Sequence, residues 1–196
     1  MFNMRPAGQG EITKQKIVDG AVQLFSKKGY TATSIEDIRK FIGISKGNIY
    51  THFSSKEELY LYVLELFVKQ WLLEVEQELK YLQSATAKLY ALAAYYAKDV
   101  DYGLERTVPE YIATVGAEEY KLKAEDTLKQ ELRFFSTILH EGVENGEFNI
   151  TNVEEYVLVI YTVFTNLTIT KYLLGNEEQL ENAFRHSVDL FLTGLK

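Results

Sequence analysis

A chain of 196 residues with no cysteine, two prolines and twelve glycines has room for one domain or two small ones, and it excludes disulfide scaffolds, thiol catalysis and cysteine-held zinc or iron–sulfur sites. So few breakers favour long helices over a β-sandwich, and the opening Met1-Phe2-Asn3-Met4-Arg5-Pro6 lacks a secretory apolar stretch, which predicts a cytoplasmic protein. The net charge of −7 is uneven: residues 1–56 carry nine basic against four acidic residues, a net +5 that leaves −12 for the rest, as expected when only the head of a protein meets a polyanion.

Residues 1–10 show no periodicity. A first helix is expected from Ile12 to Lys28, where Ile17, Ala21, Leu24 and Phe25 recur at helical spacing and Gly29 ends the run. Ser34 and Asp37, three residues apart, resemble a capping box with Asp in place of Glu and open a short second helix to Phe41 or Ile42. Gly43 turns the chain, and Ser45 caps a third helix of about two turns through His52. Ser54-Ser55-Lys56-Glu57-Glu58 opens a fourth helix reaching about Leu82. Further helices are expected over residues 85–101, 109–115, 117–144, 153–174 and 177–195. The β-branched run within residues 153–174 also reads as a buried strand, but the stretch is too long without a turn signal for one strand. Thr162, Thr165, Asn166, Thr168, Thr170 and Lys171 interrupt it, and no basic cluster flanks it, which speaks against a membrane span. The expected fold class is all-α, with about nine helices. An N-terminal three-helix head occupies residues 11–56, its helix-turn-helix at about 34–53, and helix four leads from residue 55 into a larger helical body, 57–196.

Residues 34–52 have the logic of a helix-turn-helix. Ile35, Ile38, Ile44 and Ile49 can pin its two helices to the first one, leaving Lys46, Gly47, Asn48, Thr51 and His52 outward. Gly47 permits close approach to DNA, Tyr50 and His52 can donate to phosphates, and Lys56 adds charge to the positive end of helix four. Asn48 can pair with base edges, adenine above all. Two short helices around a glycine are a weak signal alone, but the fuller string is specific. Ala21-Val22-Gln23-Leu24-Phe25, Gly29-Tyr30-Thr31-Ala32-Thr33-Ser34, Ile38, the run Gly43-Ile44-Ser45-Lys46-Gly47-Asn48-Ile49-Tyr50-Thr51-His52-Phe53 and Lys56-Glu57-Glu58-Leu59 closely resemble the DNA-binding head of the TetR family of bacterial transcriptional regulators. Arg39 and Ile42 depart from it, standing where small alanines are usual; this predicts slightly looser packing and an arginine within reach of a phosphate. The resemblance implies a homodimer that binds a palindromic double-stranded operator and leaves it when a small-molecule inducer binds the acidic body. It implies DNA contacts from Thr33, Ser34, Lys46, Gly47, Asn48, Tyr50, Thr51, His52 and Lys56, and dimerisation through the last two helices. Val157, Ile160, Phe164 and Leu167 share helical spacing on a segment too apolar to face water and are the expected interface residues.

The chain holds 14 tyrosines, and Tyr90, Tyr95, Tyr96, Tyr102, Tyr111 and Tyr120 crowd its middle beside Asp99 and Asp101, with Trp71 the single tryptophan. Aromatic faces beside a carboxylate suit a cation, and the same aromatics equally suit a core. Lys46-Gly47-Asn48-Ile49-Tyr50, Trp71, His140-Glu141-Gly142, Asn145-Gly146-Glu147-Phe148 and Phe191-Leu192-Thr193-Gly194-Leu195 look like the multidrug-sensing repressor branch, which controls efflux pumps and binds lipophilic cations. That likeness implies Trp71, Asp99 and Tyr102 as ligand residues. His52, His140 and His186 belong to no metal or nucleophile motif, so no enzyme, cofactor, metal or membrane role is expected. A helical interaction protein without sequence-specific DNA binding is the alternative; it would not need a basic head.

Overall fold

The computed structural model describes residues 8–98, 103–170 and 177–194, and within them the expected start signals act as local physics dictates. Ser34 accepts a hydrogen bond from the Asp37 amide while the Asp37 side chain accepts from the Ser34 amide, a closed capping box. Gly43 leaves the helix at φ 68°, a left-handed conformation that favours glycine, and Ser45 caps the next helix through the Asn48 amide.

The described residues form α1 (Gln9–Lys28), α2 (Ile35–Ile42), α3 (Lys46–Tyr50), α4 (Lys56–Leu79), α5 (Ala85–Ala97), a 3-10 turn (Glu105–Thr107), α6 (Val108–Thr114), α7 (Glu118–Glu144), α8 (Val153–Thr170) and α9 (Glu177–Gly194), with no strand among them. The stretch from residue 153 is thus a helix. α3 stops earlier than the spacing predicts, and residues 51–53 complete its last turn, with the Phe53 amide donating to the Ile49 carbonyl at 3.0 Å. Two compact units divide the chain: Met1–Leu66 with Gly103–Glu125, and Phe67–Tyr102 with Asp126–Lys196. The division falls inside α4 rather than at residue 56, and α6, from the middle of the sequence, belongs with the head.

In the first unit Ile17, Ala21 and Phe25 of α1 are buried with Ile38 of α2 and Ile49 of α3. Ile42 does not loosen this packing. A Cβ at Gly20 of α1 would stand 2.2 Å from the Ile42 Cγ2, so a large residue on α2 fills the space that glycine leaves on α1. Gly20→Ala is therefore expected to destabilise the head by about 1–3 kcal/mol, despite alanine's better helix propensity. Ile42→Ala alone opens a gap and costs about 2 kcal/mol; combined, the two losses partly cancel, which a double-mutant cycle by chemical denaturation will read.

In the second unit Trp71 and Val75 of α4 share a core with Leu92 and Tyr96 of α5, Phe135 and Leu139 of α7, and Phe184 and Val188 of α9. Gly142 lies under the Phe148 ring, 2.2 Å from where a Cβ would be, and Glu147 accepts from the Ala85 and Thr86 amides, both at 2.9 Å, at the start of α5. The residues expected at an interface lie inward in the single chain. Val157, Ile160 and Phe164 are 2%, 2% and 0% exposed and belong to the protomer's own core, with Leu167 half-buried against it. The outward apolar face of α8 carries Leu158, Val159 and Val163 instead, with Leu190 exposed on α9. A helix apolar on two sides offers two stripes of equal spacing, and periodicity alone cannot say which one faces inward.

Candidate functional site

The second helix of the helix-turn-helix is anchored by one residue. Ile49 is 0% exposed, while Lys46, Gly47, Asn48, Tyr50 and Thr51 are exposed around it, and His52 is half-buried. The Lys46 ammonium stands 5.7 Å from the Tyr50 ring centroid, and the Thr51 hydroxyl donates to the Gly47 carbonyl at 2.9 Å. This exposed set offers a cation, a phenolic donor, an amide with both donor and acceptor, and a glycine that lets the backbone approach. It suits a phosphate-lined groove with base edges at its floor.

Three expected contacts lie differently. Thr33 is 1% exposed, and its hydroxyl donates to the Gly29 carbonyl at 2.7 Å, so it is part of the α1–α2 turn. Ser34 is exposed, but its hydroxyl serves the capping box with Asp37. Lys56 turns inward: its ammonium donates to the Tyr30 and Thr33 carbonyls at 3.0 and 3.1 Å and lies 4.0 Å from the Tyr30 ring centroid. Burial pushes that ammonium below the usual lysine range. Arg39, placed near phosphates by the sequence, holds Glu36 through Nε and Nη2 at 2.8 and 2.7 Å.

Around the same turn Phe25, Tyr30, Tyr60 and Tyr111 form an aromatic cluster, with Tyr60 and Tyr111 stacked at 4.3 Å. Tyr111 belongs to α6, and its neighbour Glu110 accepts from the Tyr30 and Thr31 amides, each at 2.9 Å. The Thr31 side chain first, and then these amides, hold the Glu110 carboxyl below the usual carboxylate range.

In the second unit Trp71 is 3% exposed between Phe134, Phe135 and Tyr96, at 5.4, 6.4 and 6.0 Å, and its indole N–H has no hydrogen-bond partner. Asp99 and Tyr102 lie outside the described residues. The carboxylate that the sequence reading missed is Glu131 of α7. It is 3% exposed and accepts from the Tyr161 hydroxyl at 3.1 Å, and the Tyr161 ring packs on Phe135 at 5.8 Å. Burial pushes its carboxyl up to about 7, and the Tyr161 bond pulls it only partly back. The signal that could have found it is an acid on an apolar stripe, three residues after Leu128 and four before Phe135. Two surface clefts of about 350 and 370 Å³ run along α5 and α9 and meet at Tyr90, and neither is lined by Trp71 or Glu131. Among the described residues no group of three or more His, Asp or Glu is arranged to hold a metal, and no helix is long and apolar enough to cross a membrane.

Residues 17–63 match the family profile of bacterial regulatory proteins of the tetR family, and residues 67–196 match that of the QacR-like protein C-terminal region. The HTH-type transcriptional regulator QacR of Staphylococcus aureus is 27% identical over 187 residues, covering 93% of this chain and 97% of that protein. The icaADBC biofilm-operon negative regulator IcaR of Staphylococcus epidermidis is 33% identical over 131 residues, 65% of each chain. The fatty acid degradation regulator FadR of Bacillus halodurans has the same fold, with a TM-score of 0.80 at 20% identity over 98% of this chain and 99% of its own. With both profiles together spanning head and body, the chain belongs to the TetR family of bacterial regulatory proteins and carries a QacR-like C-terminal region.

Proposed function

We propose that this chain is a ligand-responsive repressor that binds a palindromic operator as a homodimer, reads it through α3, and releases it when a largely apolar cation binds the body beside Trp71 and Glu131. The observation that carries the DNA reading is the single buried anchor Ile49 with Lys46, Gly47, Asn48, Tyr50 and Thr51 exposed around it. Base edges are read by Asn48, and phosphates by Lys46 and Tyr50, with His52 at the margin. Self-association uses the outward apolar face of α8 with Leu190 of α9. The cation reading rests on two buried polar groups of the body, the Trp71 N–H, which has no hydrogen-bond partner, and the Glu131 carboxyl, which accepts from the Tyr161 hydroxyl and is pushed up by burial. A ligand with a positive charge and an acceptor atom answers both. Asp99 and Tyr102 join this site by family resemblance. The protein acts without catalysis, in the cytoplasm where its operator lies.

The test is selection from a random-sequence duplex pool by the purified full chain. A palindromic consensus is expected, and Asn48→Ala is expected to flatten the preference at one base position in each half-site, a loss of about 1–3 kcal/mol of discrimination. A pool that stays unenriched would mean a helical interaction protein without sequence-specific DNA binding.

A further inference from the structure

α3 has five residues and one buried anchor, Ile49, so its angle depends on the turn that leads into it. That turn closes on a single residue of α2. The Arg39 carbonyl accepts from the Gly43 and Ile44 amides at 3.0 and 3.3 Å, and the Arg39 Nη1 donates to the Ile44 carbonyl at 3.4 Å. Backbone and side chain of Arg39 together grip the residue that precedes Ser45, the cap of α3. The guanidinium is held in turn by Glu36, one turn earlier on α2. Its Nε donates to one carboxylate oxygen at 2.8 Å and its Nη2 to the other at 2.7 Å. This paired geometry fixes the plane of the guanidinium as well as its distance. The Arg39 bond comes first among the causes that hold the Glu36 carboxyl below its usual range.

We propose that Arg39, held in place by Glu36, is a positioning residue that sets the angle of α3 on DNA. This rests on the reading of α3 as the DNA-contacting helix. A short helix with one anchor can pivot about it, and a second fixed point at the Ile44 carbonyl, immediately before the cap, removes that freedom. The bracing uses three guanidinium donors of five, so a phosphate contact by the remaining two is compatible with it. A lysine carries the same charge without the planar fork and cannot bridge Glu36 and Ile44 in this way. The consequence falls on discrimination between sequences. Hydrogen bonds to base edges need α3 at one angle, whereas attraction to phosphates tolerates a small rotation.

The experiment measures binding of the full wild-type chain, Arg39→Ala, Arg39→Lys and Glu36→Ala to a duplex selected by the wild-type chain and to an unrelated duplex of the same length, at one salt concentration. The quantity read is the ratio of the two affinities. A change in the fraction of folded protein lowers both affinities alike and cancels in that ratio, so a merely structural role does not move it. Arg39→Ala and Arg39→Lys are both expected to lower the ratio about fivefold, the upper end for an ion pair at the surface. Glu36→Ala decides by sign. Removing a negative charge from the head tightens binding to any duplex by charge alone, whereas the loss of the support for Arg39 lowers the ratio about as far as the Arg39 variants do. A wild-type ratio in either Arg39 variant overturns the proposal. So does a ratio in Glu36→Ala that is unchanged or higher, because Arg39 then acts without its support. If Arg39→Ala does not fold, Arg39→Lys and Glu36→Ala decide. A wild-type chain that selects no duplex defeats the DNA reading and this proposal with it; selection followed by the wrong variant behaviour defeats the proposal alone.

Discussion

Phe164→Glu is expected to unfold the second unit rather than merely separate the protomers of a dimer. Phe164 is 0% exposed and edge-on to Tyr96, Phe135 and Phe184 at 5.4, 5.7 and 5.4 Å, so it joins α5, α7, α8 and α9. Truncating such a ring to alanine costs about 3–5 kcal/mol, much of the total stability of an ordinary domain. A glutamate adds an unpaired charge with no route to water. Val159→Glu, five residues earlier on the outward face of the same helix, is the contrasting variant, since Val159 is 57% exposed in the single chain. It is expected to keep its helical content and melting temperature as a monomer and to lose self-association, because the charge is costly only when a partner covers it. Sedimentation and thermal unfolding separate the two outcomes. A folded Phe164→Glu dimer would remove Phe164 from the core, and a Val159→Glu chain that still dimerises would move the interface off this face.

What was legible in the sequence was what is encoded locally. Ser34 with Asp37, Ser45 and the left-handed Gly43 each act within four residues of chain, and the helix ends fall close to where these signals stand. Ile17, Ile38 and Ile49 are buried as their spacing implied. What needs a partner far along the chain was not legible. Lys56 lies where a phosphate contact is expected, and only the Tyr30 ring and the two carbonyls of the α1–α2 turn show that it faces inward. Thr33 reads as an exposed hydroxyl until the Gly29 carbonyl claims it. Ile42 reads as a misfit until Gly20 is seen opposite it. The run from His140 to Phe148 was legible as a family signature but not as a mechanism. Gly142 makes room for Phe148, Gly146 turns at φ 72°, and Glu147 caps α5, so these residues hold the body together.

Glu131→Gln is expected to flatten the dependence of stability on pH and to raise stability on the alkaline side. In the folded chain the Glu131 carboxyl is pushed up to about 7 by burial, whereas in the unfolded chain it returns to the usual glutamate range. The folded state therefore holds this proton more tightly than the unfolded state. The stability it supplies is complete below the unfolded value and is lost as pH rises through about 7, where a carboxylate must sit in the aromatic core. The difference between wild type and Glu131→Gln should grow by about 3 kcal/mol from about pH 5 to about pH 8, read by urea denaturation at each pH. If the proposed cation site includes Glu131, the same group is expected to set its charge preference. A lipophilic cation such as tetraphenylphosphonium favours the ionised carboxylate, so its binding expels the proton, and its affinity, read by Trp71 fluorescence, should rise with pH up to about 7 and level off above it. In Glu131→Gln the cation should bind more weakly and without that rise, while a neutral aromatic of similar size should bind both proteins alike. Equal cation affinity in the two proteins at every pH would take Glu131 out of the ligand site. A flat difference in stability would mean that its carboxyl ionises in the folded chain as readily as in water.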